Sequence, residues 1–186
     1  MTYIWQIRDN YPESMIGEYD RKNGPDRFLL KRGQRLGDGI GPWRFMFRAP
    51  VARLQKFDDL ANNTLIPLIS PRLAELVLAT AEQDFELLPA EIETRDGAIQ
   101  GYRLLNVLTR LPAVDRSSST FTLVPGSEAI MGFRKLVLLE GCLGDHHLAR
   151  CAEYSSFLLV SSKLAAMLIE TGMTGMQMTD PQDVRT

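Results

Sequence analysis

Two rhythms of apolar residues run through the chain. In "TYIWQIRD" they fall on alternate positions, Tyr3, Trp5 and Ile7, the period of a strand with one buried face. In "LIPLISPRLAELVLATAEQ" the period lengthens. Ser70 stands where a helix cap belongs, Pro71 takes the first helical position, and Leu73, Leu76, Val77 and Thr80 line one side of a helix. "DFELLPAEIE" leaves that helix as an extended segment. The plan returns in "FLLVSSKLAAMLIETGMTGMQM". Leu159 and Val160 precede the cap Ser161, Leu164, Met167 and Leu168 form the helical face, and Gly172 is placed to end it. Setting Ser70 on Ser161 also matches Arg72 with Lys163, Leu73 with Leu164, and Phe85 and Leu87 with Met176 and Met178. The pattern predicts a strand–cap–helix–strand unit used twice, 91 residues apart.

Elsewhere the chain favours strands. "VARLQKFDDLAN" is a further helix candidate through Val51, Leu54 and Phe57. "GYRLLNVLTRL", "FTLV", "GFRKLVLLE" and "HLARCAEY" are apolar and extended in character. "PAVDRSSSTFT" joins the first two, its Asp and three serines suited to local side-chain-to-backbone bonds. The expected class is α+β, a mostly antiparallel sheet with two or three packed helices. Gly37, Gly39 and Gly41 resemble a phosphate loop only in composition, because no Gly-Lys-Ser/Thr follows and Pro42 comes next.

Composition narrows the class without changing the pattern. The 186 residues, 45% hydrophobic and 24% charged, fit a single domain over 1–186 with ample material for a core. "MTYIWQIRDNYPES" lacks the basic and apolar regions of a signal peptide, and no apolar run approaches the roughly 20 residues of a membrane span. Two cysteines in such a chain are expected to be reduced thiols in the cytoplasm. A net charge of −2 argues against nucleic acid as a partner.

Charge is uneven, however. Residues 1–50 carry nine Lys/Arg against six Asp/Glu, and residues 51–100 carry four against nine. Glu82, Asp84, Glu86, Glu91, Glu93 and Asp96 crowd one stretch with only Arg95 to offset them. Such a run is either a solvated strand edge or an acidic face for a basic partner.

Candidate chemistry concentrates in "GCLGDHHLARC", residues 141–151, which holds both histidines and both cysteines. If the segment is a strand, His147, Ala149 and Cys151 share one face, and His146, Leu148 and Arg150 the other. Cys142, one histidine and Cys151 suggest zinc, but the spacing is poor for a compact site and a fourth ligand is not apparent. A Cys/His nucleophile pair lacks its orienting group. No nucleophile elbow, His-Glu-x-x-His helix or calcium loop occurs. Asp115 with Glu128 stays open as a carboxylate dyad. On this basis no catalytic residue, metal or cofactor is assigned, and binding is favoured over chemistry. A small hydrolase or nucleotide-modifying enzyme with a carboxylate site, or a Cys/His metal-binding regulator, is the alternative.

The succession "PLISPRLAEL", "DFELLPAEI", "GYRLLNVLTRLPAVDRSSS" and "HHLARCAEYSSFLLVSSKLAAMLIETGMTGMQM" resembles a family of bacterial immunity proteins, once known only as a domain of unknown function. Members are encoded beside polymorphic toxins or type VI secretion effectors. The resemblance rests on Tyr102–Asn106, on Asp115–Ser117, on Ala149 and Arg150, and on Leu159–Met178. Relatives usually carry an aromatic residue where this chain has Ala149. The likeness covers residues 61–180, with residues 1–60 less characteristic. It implies a protein that neutralises a cognate toxin or effector by stoichiometric binding in the cytoplasm, without catalysis. Asp84, Glu86, Glu91 and Glu93 are then candidates to mimic an anionic substrate. Trp43, Arg44 and Phe45, with Phe47, are candidates for a separate contact, although alternating aromatics also suit the core face of a strand. A homodimer is left open.

Overall fold

The computed structural model describes residues 1–37 and 39–184. In chain order the strands and helices are β1 (Thr2–Ile7), β2 (Glu18–Tyr19), β3 (Trp43–Met46), α1 (Val51–Leu54), β4 (Leu68–Ile69), α2 (Pro71–Ala81), β5 (Phe85–Thr94) and β6 (Gly97–Ile99). They continue as β7 (Arg103–Val107), β8 (Arg110–Leu111), β9 (Thr120–Leu123), β10 (Ile130–Lys135), β11 (Leu148–Cys151), β12 (Leu158–Ser161), α3 (Ser162–Glu170) and β13 (Met176–Thr179).

The two capped units shape the architecture. Ser70 Oγ accepts from the Leu73 amide and Ser161 Oγ from the Leu164 amide, so each helix starts where the sequence places its cap. At its far end, α3 hands over to Gly172 at φ +64°, whose amide bonds Ile169 while the Met173 amide reaches back to Leu168. In each unit the strands before and after the helix do not touch. β4 and β5 flank β7 and run antiparallel to it, and β12 and β13 flank β1 in the same way. Each is therefore a split strand–helix–strand unit with a borrowed central strand.

The units sit in different sheets. One sheet runs β13-β1-β12-β11-β8, the other β2-β3-β5-β7-β4 with β6 also on β5, and β9 with β10 forms a separate hairpin. All pairings are antiparallel except β3 with β5 and β8 with β11. The fold is thus α+β with mostly antiparallel sheets and three helices, as the pattern predicts. Helices α2 and α3 pack together over a core that includes Trp5, Leu105, Val107, Leu158 and Val160. The joint is stitched at the end of α3. Arg72 donates to the Thr171 and Gly172 carbonyls, where a cation suits the helix terminus. Asp58 and Asp59 amides both bond the Thr174 carbonyl. Gly175, at φ +97°, presses so close to the Asp59 carbonyl that a Cβ there would overlap it.

Three local expectations shift. The segment after Val51 makes one helical turn, not a helix to residue 62, because Asp58 and Asp59 are drawn out to Thr174. On α2 the fully buried set is Leu73, Ala74, Val77 and Ala81, while Leu76 and Thr80 are half-buried, Thr80 Oγ1 lying 3.4 Å from Met167 Sδ of α3. In β1 both Ile4 and Trp5 are buried, Ile4 in one core and Trp5 in another, since the sheet is covered on both faces.

Candidate partner-binding surfaces

Strand parity decides which candidate side chains meet solvent. β3 lies parallel to β5 with Trp43 beside Ala90, Arg44 beside Glu91, Phe45 beside Ile92 and Met46 beside Glu93. Trp43, Phe45 and Ile92 point into the core, where Tyr19 of β2 stacks near both aromatic rings. Trp43 and Phe45 are fully buried and Phe47 nearly so, hence they form the inner face of the sheet and present nothing to a partner. Arg44, Met46, Glu91 and Glu93 take the outer face. There Arg44 Nε meets Glu91 Oε2 at 2.6 Å and Arg48 meets Glu18 at 3.2 Å. Met46, 55% exposed, lies in register between Glu18 and Glu93.

Parity likewise splits the four acids. Glu86 shares the inner face with Leu88 and Ile92. Its carboxylate accepts from the Leu36 amide at 2.5 Å and from Asn106 Nδ2 at 2.7 Å, tying the 34–37 loop to β7. Asp84, just before β5, is completely buried. Its Oδ2 accepts from the His147 and Leu148 amides at 2.9 and 3.0 Å, and its Oδ1 meets Thr109 Oγ1 at 3.1 Å and His146 Nδ1 at 2.5 Å. Asp84 and Glu86 are thus internal ties between segments, and only Glu91 and Glu93 remain as surface carboxylates.

The Cys/His segment disperses too. His146 turns to Asp84 and His147 Nδ1 to Ser161 Oγ at 2.9 Å, while Cys142 Sγ lies 3.7 Å from Thr2 Oγ1 and Cys151 Sγ donates to Glu153 at 3.3 Å. Burial pushes the Cys151 thiol up to about 12, so it stays protonated. Strand β11 keeps the predicted alternation, with Ala149 and Cys151 in one core and Leu148 in another. The Asp84–His146 pair has the form of an oriented base, yet the neighbouring Ser161 hydroxyl is engaged by His147 and the α3 cap. Among the described residues no three His, Cys, Asp or Glu side chains cluster as a metal site. Asp115 is spent on its own turn, accepting from Ser117 N, Ser117 Oγ and Ser118 N, which hold its carboxyl down near 2. Glu128 pairs instead with Arg116 at 3.8 Å.

The family model for the immunity protein family Imm11 matches residues 9–183. The chain belongs to the Imm11 immunity protein family. No curated relative matches it. The Imm11 match takes in most of residues 1–60, wider than the motifs alone suggest. In this Imm11 fold those motifs are largely internal. Tyr102 Oη donates to the Phe57 carbonyl, Asn106 bonds Glu86, and Ala149 is fully enclosed, which leaves little room there for a ring. Among the described residues of this Imm11 chain, no helix is long and apolar enough to cross a membrane.

Two features escaped the sequence. One is a cavity of about 280 Å³ lined by Trp5, Ile7, Asp59, Leu60, Ile66 and Phe157, among others. Asp59 is buried in its wall, accepting from Trp5 Nε1 at 2.9 Å and the Leu68 amide at 3.1 Å, and burial raises its carboxyl to about 6. The other is Arg150, fully buried on β11 opposite Leu158. Its position could be read as strand, but its full burial could not; Nη1 donates to the Ser155 carbonyl at 2.6 Å.

Proposed function

We propose that the chain neutralises a cognate bacterial toxin or secreted effector, of a polymorphic or type VI secretion system, by direct stoichiometric binding in the cytoplasm and without catalysis. The family match over residues 9–183 carries this reading. The outer face of β3 and β5 is the surface that suits it. Met46 offers an adaptable apolar knob, with Glu18 and Glu93 in register on its two sides. Arg44 and Arg48 already pair with Glu91 and Glu18, so the patch is of mixed charge rather than a continuous acidic strip. A partner with basic groups around an apolar recess fits it, and charge there sets association rate and register more than affinity.

Co-expression with the neighbouring toxin gene and capture of the tagged chain tests the proposal. The expected result is one co-purifying protein near one-to-one, toxic alone and harmless with this chain. Its absence overturns the proposal. Glu91→Lys with Glu93→Lys is expected to weaken the complex and flatten its salt dependence. Unchanged affinity would remove this face as the interface while leaving neutralisation in place.

A further inference from the structure

A carboxylate stands in a cavity wall without a cation. Asp59 is 5% exposed, and among the described residues its side chain accepts from Trp5 Nε1 at 2.9 Å and the Leu68 amide at 3.1 Å. Trp5 and Asp59 both line the 280 Å³ cavity, and so does Pro67, directly before Leu68. The carboxylate is thus bounded by the lining on the side of each oxygen. An ionised carboxylate has about four acceptor positions, so two donors leave it half served. Asp58, its neighbour, is the contrast: that carboxylate has Arg72 at 3.6 Å as well as the Ser70 and Thr174 hydroxyls. The charge felt by Asp59 is that of Asp58, another acid. Lys31 bonds Ser156 Oγ of the lining at 3.3 Å and leaves Asp59 unpaired. A buried carboxylate in this state is relieved by a cation.

The rest of the cavity states what else such a ligand carries. Trp5, Tyr154 and Phe157 bring three rings to the lining, the last two with centroids 4.6 Å apart, and Leu60 and Ile66 add aliphatic wall. Ring faces attract a cation, apolar walls accept hydrocarbon, and about 150 Å³ already accommodates benzene. Leu65 stands where the lining meets solvent. It is 51% exposed and held at φ +59°, a conformation that bulky side chains rarely adopt. Buried Asn62 fixes the loop, donating to the Leu60 and Ile66 carbonyls and accepting from the Thr64 amide and hydroxyl. Strain that keeps a leucine outside, on the rim of a cavity, serves binding and not the core.

We propose that the cavity is an organic-cation site, in which Asp59 takes an ammonium or guanidinium head and the aromatic walls take the apolar body behind it. A free amine and a lysine or arginine side chain of a docked protein present the same chemistry. The site stands independently of toxin neutralisation.

The test is calorimetric titration of the full chain with phenethylamine and with neutral phenethyl alcohol, at matched ionic strength and on either side of pH 6. Above that pH the amine is expected to bind about tenfold tighter than the alcohol, and below it the preference shrinks as the carboxyl takes up its proton. The other titratable groups acting on Asp59 are Asp58, Tyr11 and Tyr102, and both tyrosines titrate only near 12. Asp59→Asn is expected to remove the preference and leave alcohol binding alone. The Trp5 Nε1–H resonance is expected to move with the amine in the unaltered chain, a readout that needs no variant to fold. Amine and alcohol binding alike above pH 6, no binding of either at millimolar concentration, a preference that survives Asp59→Asn, or an unmoved Trp5 resonance each overturns the site. With binding established, competition between phenethylamine and the captured toxin assigns the ligand to a partner's side chain. Binding without competition assigns it to a free amine.

Discussion

Replacing Asp84 by alanine should be the most damaging single change at the acidic stretch, although nothing about the residue's sequence position says so. The carboxylate serves four donors or partners at once: the His147 and Leu148 amides, the Thr109 hydroxyl and the His146 ring. Alanine leaves the buried Leu148 amide and the half-exposed His147 amide without acceptors, and each orphaned buried donor costs about 1–3 kcal/mol. Water reaches the His147 side, so the sum is about 3–4 kcal/mol, or a fall of roughly 10 °C in Tm for a chain of this length. Asparagine is the informative contrast. Its oxygen keeps the two amides, and its NH₂ donates to His146 Nδ1 and Thr109 Oγ1, so only charge assistance is lost, about 1 kcal/mol. Urea unfolding followed by circular dichroism, with hydrogen exchange at the Leu148 amide, measures both variants. If alanine costs under about 1 kcal/mol, or asparagine costs as much as alanine, the carboxylate is not the tie described here.

The Trp5 indole reports on Asp59. Burial lifts that carboxyl from about 3.9 unfolded to about 6, so its contribution favours the fold below about pH 4 and is lost as pH rises through 6. The Trp5 Nε1–H resonance should move with a midpoint near pH 6 and stay still in Asp59→Asn, whereas buried Trp43, whose Nε1 has no partner among the described residues, should not titrate. A flat Trp5 resonance from pH 4 to 8 would contradict the assignment. The thiols should separate as sharply. In the folded chain a disulfide reagent is expected to label half-buried Cys142 and spare buried Cys151, with both reacting in guanidinium. Equal folded-state rates would show that Cys151 is not shielded.

What the sequence disclosed was what neighbours decide. The Ser70 and Ser161 caps, the Asp115 turn and the Gly172 terminus are made by residues within five positions of one another, and all stand where the pattern puts them. The candidate site was half legible for a related reason. Trp43 and Phe45 against Arg44, and Glu86 against Glu91 and Glu93, differ by parity, so alternation separates them once a strand is accepted. It does not say which parity faces in. That depends on Tyr19, Asn106 and the 34–37 loop closing over one side of the sheet. Asp84 was illegible altogether, because its partners arrive from 25 and from 62 to 64 residues away.

The borrowed strand in the second unit has a consequence for how the molecule comes into being. Among the described residues β1 pairs with residues 158–161 and 176–179, more than 150 positions further along the chain. Until those residues are made they cannot cover Ile4 and Trp5, whereas β3, β5 and β7 find one another within 65 residues. Assembly should therefore start among β3, β5 and β7 and finish where β1 meets β12 and β13. Deleting residues 2–7 would remove a strand that is paired on both sides. It would leave β12 and β13 without the strand that joins them, and edge strand β13 would be cut off from the rest of the sheet.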